Sequence, residues 1–267
     1  MKNSEDRTGN ESADQMEKAK AEQTKACPEI VYEDNHVLVA VKAPGVLSQA
    51  DGSQAPDMLT LLKHYLKVKY DKPGKVYLGL VHRLDRPVGG LMVFAKTSKA
   101  ASRLSEQIRR HEMEKIYLAI VDGCPEPEQG QWHDTLRKDR QQNKVTRSDP
   151  DQGQAAWLSY KTLQTHPASG LSLIAVKLGT GRGHQIRVQL ALHGCPIAGD
   201  RKYHPAYMNQ SASRNPHIKT AALWAGMLGF RHPVTRDWLW FSAPVPEAIP
   251  WTLFEAVEND VFSDWKT

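Results

Sequence analysis

The sequence predicts an α+β fold, a mixed and mostly antiparallel sheet with flanking helices, on three observations. Short apolar or alternating runs of strand length recur along the 267 residues, most of them bounded by tight Gly, Pro, Asn or Asp turns. Only three segments carry helical apolar spacing, and each stands singly between strands instead of alternating with them one for one. From residue 28 onward no internal repeat and no second apolar block interrupts the pattern, so one domain over residues 28–267 is expected.

The elements follow in order. Residues 1–27 hold five basic and six acidic side chains and almost no large apolar ones. They cannot offset the entropy of ordering, so a disordered tail is expected, with nascent helix around Met16–Lys25. Ile30–Tyr32 and Val37–Lys42 read as strands about a Glu33-Asp34-Asn35 turn, the second closed by Pro44-Gly45. Met58–Val68 has helical spacing through Leu59, Leu62, Tyr65 and Leu66. Val76–Val81 and Leu91–Ala95 read as strands entering and leaving a loop. Thr97 or Ser98 can cap a helix to about Arg110, with Ala100, Ala101, Leu104 and Ile108 on its buried side. Lys115–Val121, Ala155–Leu163 and Leu171–Leu178 are strand-like. Gly183–His193 reads as a helix stopped by Gly194 and Pro196.

The longest apolar runs, such as Ile116–Val121, fall far short of the roughly 20 residues that span a bilayer, and no secretory signal opens the chain. Cys27, Cys124 and Cys195 are odd in number and in no metal-ligand spacing, which suits free thiols and a cytoplasmic location. The net charge of +5 is unevenly spread. Between Lys177 and Arg236 the only acid is Asp200, against nine Lys and Arg and five His. Such depletion suggests a polyanion footprint, with nucleic acid as the leading partner. A second basic cluster, Arg137, Lys138, Arg140, Lys144 and Arg147, lies in a polar stretch that reads as a loop. No membrane or protein partner is implied.

The most informative segment is Val81–Thr97, V-H-R-L-D-R-P-V-G-G-L-M-V-F-A-K-T. It sets Asp85 between Arg83 and Arg86 in a Pro/Gly-marked loop at the edge of an apolar strand. A carboxylate there is costly unless it is paired or used, and a simple Asp85–Arg86 turn is the plainer reading of the spacing alone. The full string, however, closely resembles the catalytic motif of the RluA-type RNA pseudouridine synthases. Four further ordered blocks carry the resemblance: Asn35–Gln49 (N-H-V-L-V-A-V-K-A-P-G-V-L-S-Q), Lys115–Gly123 (K-I-Y-L-A-I-V-D-G), Leu178–Tyr203 with its T-G-R-G-H-Q-I-R core, and Phe230–Pro246. Gln189 and Trp224 depart from the residues common in that family. Many relatives carry a small RNA-binding domain ahead of the catalytic core, and the first 27 residues are too few to be one.

The resemblance implies the pseudouridine-synthase catalytic fold and conversion of uridine to pseudouridine in ribosomal or transfer RNA, a reaction that demands neither a cofactor nor a metal. It implies Asp85 as nucleophile, Tyr117 as the residue that stacks on the base and removes the C5 proton, and Arg187 as the partner of Asp85. By periodicity alone Tyr117 is a core tyrosine, and Arg187 has an ordinary phosphate contact as its alternative. Arg83 would fill the gap left by a flipped uridine or bind a phosphate. Arg182 and His184 could hold substrate phosphate at a helix N-terminus. His82, Arg86, Lys115 and Gln185 complete the expected substrate-binding set. Two other classes stand beside it, a non-catalytic RNA-binding protein on the same scaffold and a glycoside hydrolase. The second needs another carboxylic acid beside Asp85, and the matched blocks show no evident candidate.

Overall fold

The computed structural model describes residues 27–139, 141–208, 217–255 and 265. The expected tail, Cys27 aside, and Arg140 lie outside the described residues. Among the described residues eleven strands form one sheet: β1 (Ile30–Glu33), β2 (Val37–Lys42), β3 (Gly79–Leu80), β4 (Gly89–Ala95), β5 (Glu114–Asp122), β6 (Gln129–Asp139), β7 (Lys144–Arg147), β8 (Gln154–His166), β9 (Leu171–Leu178), β10 (Leu223–Arg231) and β11 (Trp238–Ser242). Their order is β1-β2-β4-β10-β5-β9-β8-β6-β7, with β11 on β10 and β3 on β4. Every pairing is antiparallel except β10 with β4.

That one parallel contact brings the Asp85 loop to the centre of the sheet. Gly89 and Gly90, the first residues of β4, pair with Trp224 and Ala225 of β10. Ala225 in turn pairs with Tyr117 of β5. Gly90 has φ +113°, and a Cβ there would lie 2.4 Å from the Ala225 carbonyl oxygen. Only glycine permits so close an approach. The loop exit, Ala225 and Tyr117 thus share one level of the sheet.

Both faces of the sheet's centre are covered, which is why β4, β5 and β10 read as continuous apolar runs and not as alternation. The helix α1 (Met58–Lys69), capped by Asp57, buries Met58, Leu62 and Leu66 on one face. The helix α2 (Ser98–Arg109), capped by Thr97, buries Ala100 and Leu104 on the other. The helix α3 (Gln185–Leu192) follows β9, and a short α4 (Pro205–Met208) follows the turn after it. No helix among the described residues is long and apolar enough to cross a membrane.

Two expectations need correction, and two strands go unassigned in the sequence reading. The basic stretch from Arg137 to Arg147 is no loop but the antiparallel β6–β7 hairpin. Its period of two is present in Gly130, Trp132, Asp134 and Leu136, which turn inward, but Gly and Asp among them conceal it. The strand expected over Val76–Val81 is only Gly79–Leu80, on the edge of β4 opposite β2. Past it the next N–H on that edge, Val93, is taken by the His82 side chain instead of a strand carbonyl. Two strands stand where the sequence reading assigns none: β10, most of it ahead of the closing block, and β11 within that block.

Glu33 pins this half of the molecule. Its carboxylate accepts from Lys69 Nζ at 2.7 Å, Lys96 Nζ at 2.6 Å, Tyr70 Oη at 2.7 Å and Tyr65 Oη at 3.0 Å. Burial works to raise its pKa, but these donors prevail and hold it at about 2, against an ordinary 4.5. The folded state therefore releases this proton more readily than the unfolded chain. The resulting stability is complete above about pH 4.5 and fades as pH falls toward 2, an effect on the order of 2–3 kcal/mol. Glu33→Gln should remove that part of the acid dependence; parallel stability curves for the two proteins between pH 5 and 2 would contradict it.

Candidate active site

Asp85 sits in the turn before β4, whose backbone is closed by the Val88 N–H donating to the Asp85 carbonyl at 3.0 Å. Three contacts fasten this turn to the segment after β2. The Lys42 ammonium, 0% exposed, donates to the carbonyls of Ala43 (3.2 Å), Val46 (2.6 Å) and Arg86 (3.2 Å). Ser48 Oγ donates to the Leu84 carbonyl at 2.7 Å and accepts from the Leu84 N–H at 3.0 Å. Arg86 Nε donates to the Gly45 carbonyl at 3.1 Å, and the Gly45 N–H returns a bond to the Arg86 carbonyl at 2.7 Å. Burial pulls the Lys42 pKa down to about 7, against the attraction of Asp85 and with the repulsion of Arg86. Three carbonyls nevertheless match the three donors of an ammonium. Lys42→Met leaves those acceptors without their donor, so it should lower the unfolding free energy by about 3 kcal/mol. An unchanged denaturation midpoint would remove this role.

Arg187 comes to the same turn from the third position of α3. Its Nη1 donates to Asp85 Oδ2 at 2.9 Å. Its other edge is taken by Asp200, with Nε to Oδ2 at 2.7 Å and Nη2 to Oδ1 at 2.8 Å. Burial alone would weaken this cation, but Asp200 and then Asp85 more than compensate, and the pKa stands above its ordinary value. The two carboxylates differ in kind. The Asp200 side chain is 0% exposed and forms a fork with the guanidinium, whereas that of Asp85 is 26% exposed. Asp200 orients Arg187, and Asp85 is the carboxylate left open to a ligand.

Asp85, Tyr117, Arg187, Arg83, Arg182, His184 and Gln185 all line one recess of about 70 Å³. The expected catalytic trio, scattered over a hundred residues of sequence, is therefore brought together. The recess shares Arg83, Asp85, His184 and Arg187 with a cleft of about 1100 Å³ whose walls also carry Lys138, Lys144, Arg201, Lys202 and Lys219. The hairpin β6–β7 supplies two of those lysines. Tyr117 is buried on β5. Burial first, and the Asp85 carboxylate second, hold its phenol far above the ordinary pKa, so it is a neutral acid.

The remaining expected residues divide into two groups. Gln185 is buried: its Oε1 accepts from Thr180 Oγ1 (2.8 Å) and the Arg182 N–H (3.0 Å), and its Nε2 donates to the Trp157 carbonyl (3.0 Å). It shapes the T-G-R-G turn from inside. Arg182 donates through Nε to the Ala155 carbonyl at 3.1 Å. His184 is held below its ordinary pKa by burial, against the pull of Asp85, which makes it a poor cation for a phosphate. His82, Lys115 and Arg86 are not among the residues lining the recess. His82 Nε2 accepts the Val93 N–H of β4 at 3.0 Å, and its pKa falls to about 3 through burial and the charge of Lys115. Lys115 places its Nζ under Gly181. Arg86 lies on the cleft wall.

Asp200, Lys42 and Ser48 were not singled out from the sequence. Asp200 had a signal, as the sole acid in the long basic stretch and a member of the matched Leu178–Tyr203 block. Of the two departures from the pattern, Trp224 packs its ring where a Cβ on Gly89 would stand. Gln189 is buried and donates to Asp134 Oδ2 at 2.9 Å, tying α3 to β6.

A family model described as RNA pseudouridylate synthase matches residues 36–192. An uncharacterized RNA pseudouridine synthase, YlyB of Bacillus subtilis, is 33% identical over 86% of this chain and 72% of its own length. The dual-specificity RNA pseudouridine synthase RluA of Pasteurella multocida is 33% identical over 81% of this chain and 92% of its own. The ribosomal large subunit pseudouridine synthase D of Zymomonas mobilis is 33% identical over 82% and 69%. Among solved structures, human RNA Pseudouridylate Synthase Domain Containing 4 superposes with a TM-score of 0.68 at 23% identity, covering 85% of this chain and 91% of that one.

Proposed function

Because this chain belongs to the RNA pseudouridylate synthase family and is an isomerase acting on RNA, we propose that Asp85 is its nucleophile and that its substrate is a flipped-out uridine in ribosomal large-subunit or transfer RNA. The reaction breaks the N1–C1′ bond, turns the uracil and forms C5–C1′; a proton leaves C5 and one is gained at N1. Nothing is oxidised or reduced. The chemistry needs an ionised carboxylate beside the sugar, a group near C5 and an enclosed pocket.

The observation that carries this reading is the asymmetry of the two carboxylates on Arg187: one buried and saturated, the other aimed and open. Arg187 donates to Asp85 Oδ2 and so aims that carboxylate. The same asymmetry argues against a glycoside hydrolase, since the second acid on Arg187, Asp200, has both oxygens bound to a guanidinium. Tyr117 would stack on the uracil. Being a neutral phenol, it would take the C5 proton only while passing its own phenolic proton on toward N1, so that the net transfer is from C5 to N1. Bonding of Asp85 to substrate would discharge the carboxylate, removing one of the two causes that hold the phenol neutral. Arg83, exposed at the mouth of the recess, would occupy the place vacated by the flipped base. The ribosomal target has support in one relative, the ribosomal large subunit pseudouridine synthase D of Zymomonas mobilis.

The test is a pseudouridine map of bacterial ribosomal and transfer RNA after incubation with the purified protein. A new site in either class supports the reading and names the target, and no new site in either overturns it. The cleft's basic walls add a prediction. If about five phosphates are neutralised, log affinity should fall against log salt with a slope of about −3.5; an affinity independent of salt would contradict it.

A further inference from the structure

Two atoms face each other in the recess without touching. His184 Nε2 lies 3.9 Å from Asp85 Oδ2, beyond hydrogen-bond reach. On the opposite edge of the ring, Nδ1 is 2.7 Å from Tyr203 Oη. That oxygen already accepts the Val145 N–H at 2.8 Å. A phenol has one proton to give. With its acceptor side occupied by Val145, the proton points to Nδ1. Burial raises the Tyr203 pKa to about 12, so the proton is present at neutral pH. Nδ1 therefore accepts, and the ring carries its own proton on Nε2, facing Asp85.

The recess thus presents a donor and an acceptor 3.9 Å apart. A phosphate placed between them would meet the Asp85 carboxylate, and a cation would meet the Nε2 proton. A hydroxyl suits both, accepting from His184 and donating to Asp85. An oxygen at about 2.8 Å from each atom closes a triangle on that base. We propose that His184 reads the 2′-hydroxyl of the target ribose, with Tyr203 as the positioning residue that fixes its tautomer, and that this pair sets the preference for ribonucleotide over deoxyribonucleotide. The inference rests on Asp85 meeting the target sugar. The 2′ position is chosen because it adjoins C1′, where the bond breaks, and because it is the group RNA has and DNA lacks.

The backbone supports a retained side chain here. His184 has φ +54°, in the left-handed region that favours glycine, although its neighbour Gly183 shows how readily this turn accepts one. A residue kept in such a conformation at a ligand site points to use of its side chain. The same tyrosine holds Val145, the residue after Lys144 in the basic hairpin wall, so one hydroxyl fixes both the reader and the edge of the cleft.

The test uses the full chain and two variants. In wild type, ¹⁵N spectra of the imidazoles should show His184 as the Nε2–H tautomer, and Tyr203→Phe should release it to a mixture; an Nδ1–H ring in wild type overturns the proposal. Uridine 5′-monophosphate should then move the His184 Nε2 resonance and 2′-deoxyuridine 5′-monophosphate should not. A response to both alike, or to neither, overturns it. These readouts need no turnover, so they fail independently of the nucleophile assignment, which Asp85→Asn tests. His184→Asn keeps a residue that tolerates the left-handed backbone but is too short to reach the hydroxyl. On a stem-loop RNA with or without the target 2′-hydroxyl, it should reduce the wild-type preference by about tenfold, the value of one hydrogen bond. Equal loss on both RNAs would contradict the assignment.

Discussion

Asp85→Asn is expected to abolish pseudouridine formation, by at least about a thousandfold in kcat, as removal of a nucleophile does. The fold should be nearly indifferent. Asn has the same shape, the site is partly open, and Arg187 keeps both bonds to Asp200. Stability should therefore stay within about 1 kcal/mol of wild type. RNA affinity should hold or rise slightly, since a negative charge has left a basic cleft. The three readouts separate chemistry from assembly. Loss of turnover together with loss of fold would mean that Asp85 is structural, the plainer reading its motif also allowed.

Asp200→Asn should have the second largest effect, and on a different quantity. Asp200 accepts from two guanidinium nitrogens and from the backbone N–H groups of Lys202 (2.9 Å) and Tyr203 (3.3 Å). An amide in its place sets N–H against N–H and leaves Arg187 buried with only half its counter-charge. Breaking one side of a buried pair costs about 3–5 kcal/mol, and in a domain of this size that lowers Tm by about 10 °C. Activity should fall as well, because Arg187 loses the fork that aims it at Asp85. A variant with wild-type Tm would show that Asp85 and the surrounding dipoles hold Arg187 unaided.

What could be read in advance, and what could not, follows from where the information lies. Asp85, Tyr117 and Arg187 sit in ordered blocks, so roles could be proposed for them from the resemblance, and the structure adds that they line one recess. The helices α1 and α2 were legible because one apolar stripe and one cap residue define each. Lys42 was not, since a lysine ending a strand reads as solvated until the Asp85 turn folds back and buries it under the Arg86 carbonyl. The hairpin β6–β7 was hidden for another reason. Its inward face carries Asp134, which His193 Nε2 and Gln189 Nε2 engage at 3.0 and 2.9 Å, so polarity marks a buried network there and not exposure. His184 was expected at the site and does line the recess, but its chemical character was not legible. Its protonation is decided by Tyr203, nineteen positions away, through a contact no local pattern encodes.

The most direct test of the central claim is a single-turnover measurement at the mapped uridine, with enzyme in excess, for wild type and Asp85→Asn at equal RNA occupancy. Full conversion by wild type and none by the folded, RNA-bound variant is the predicted result. Conversion by the variant at a rate near wild type would remove Asp85 from the chemistry.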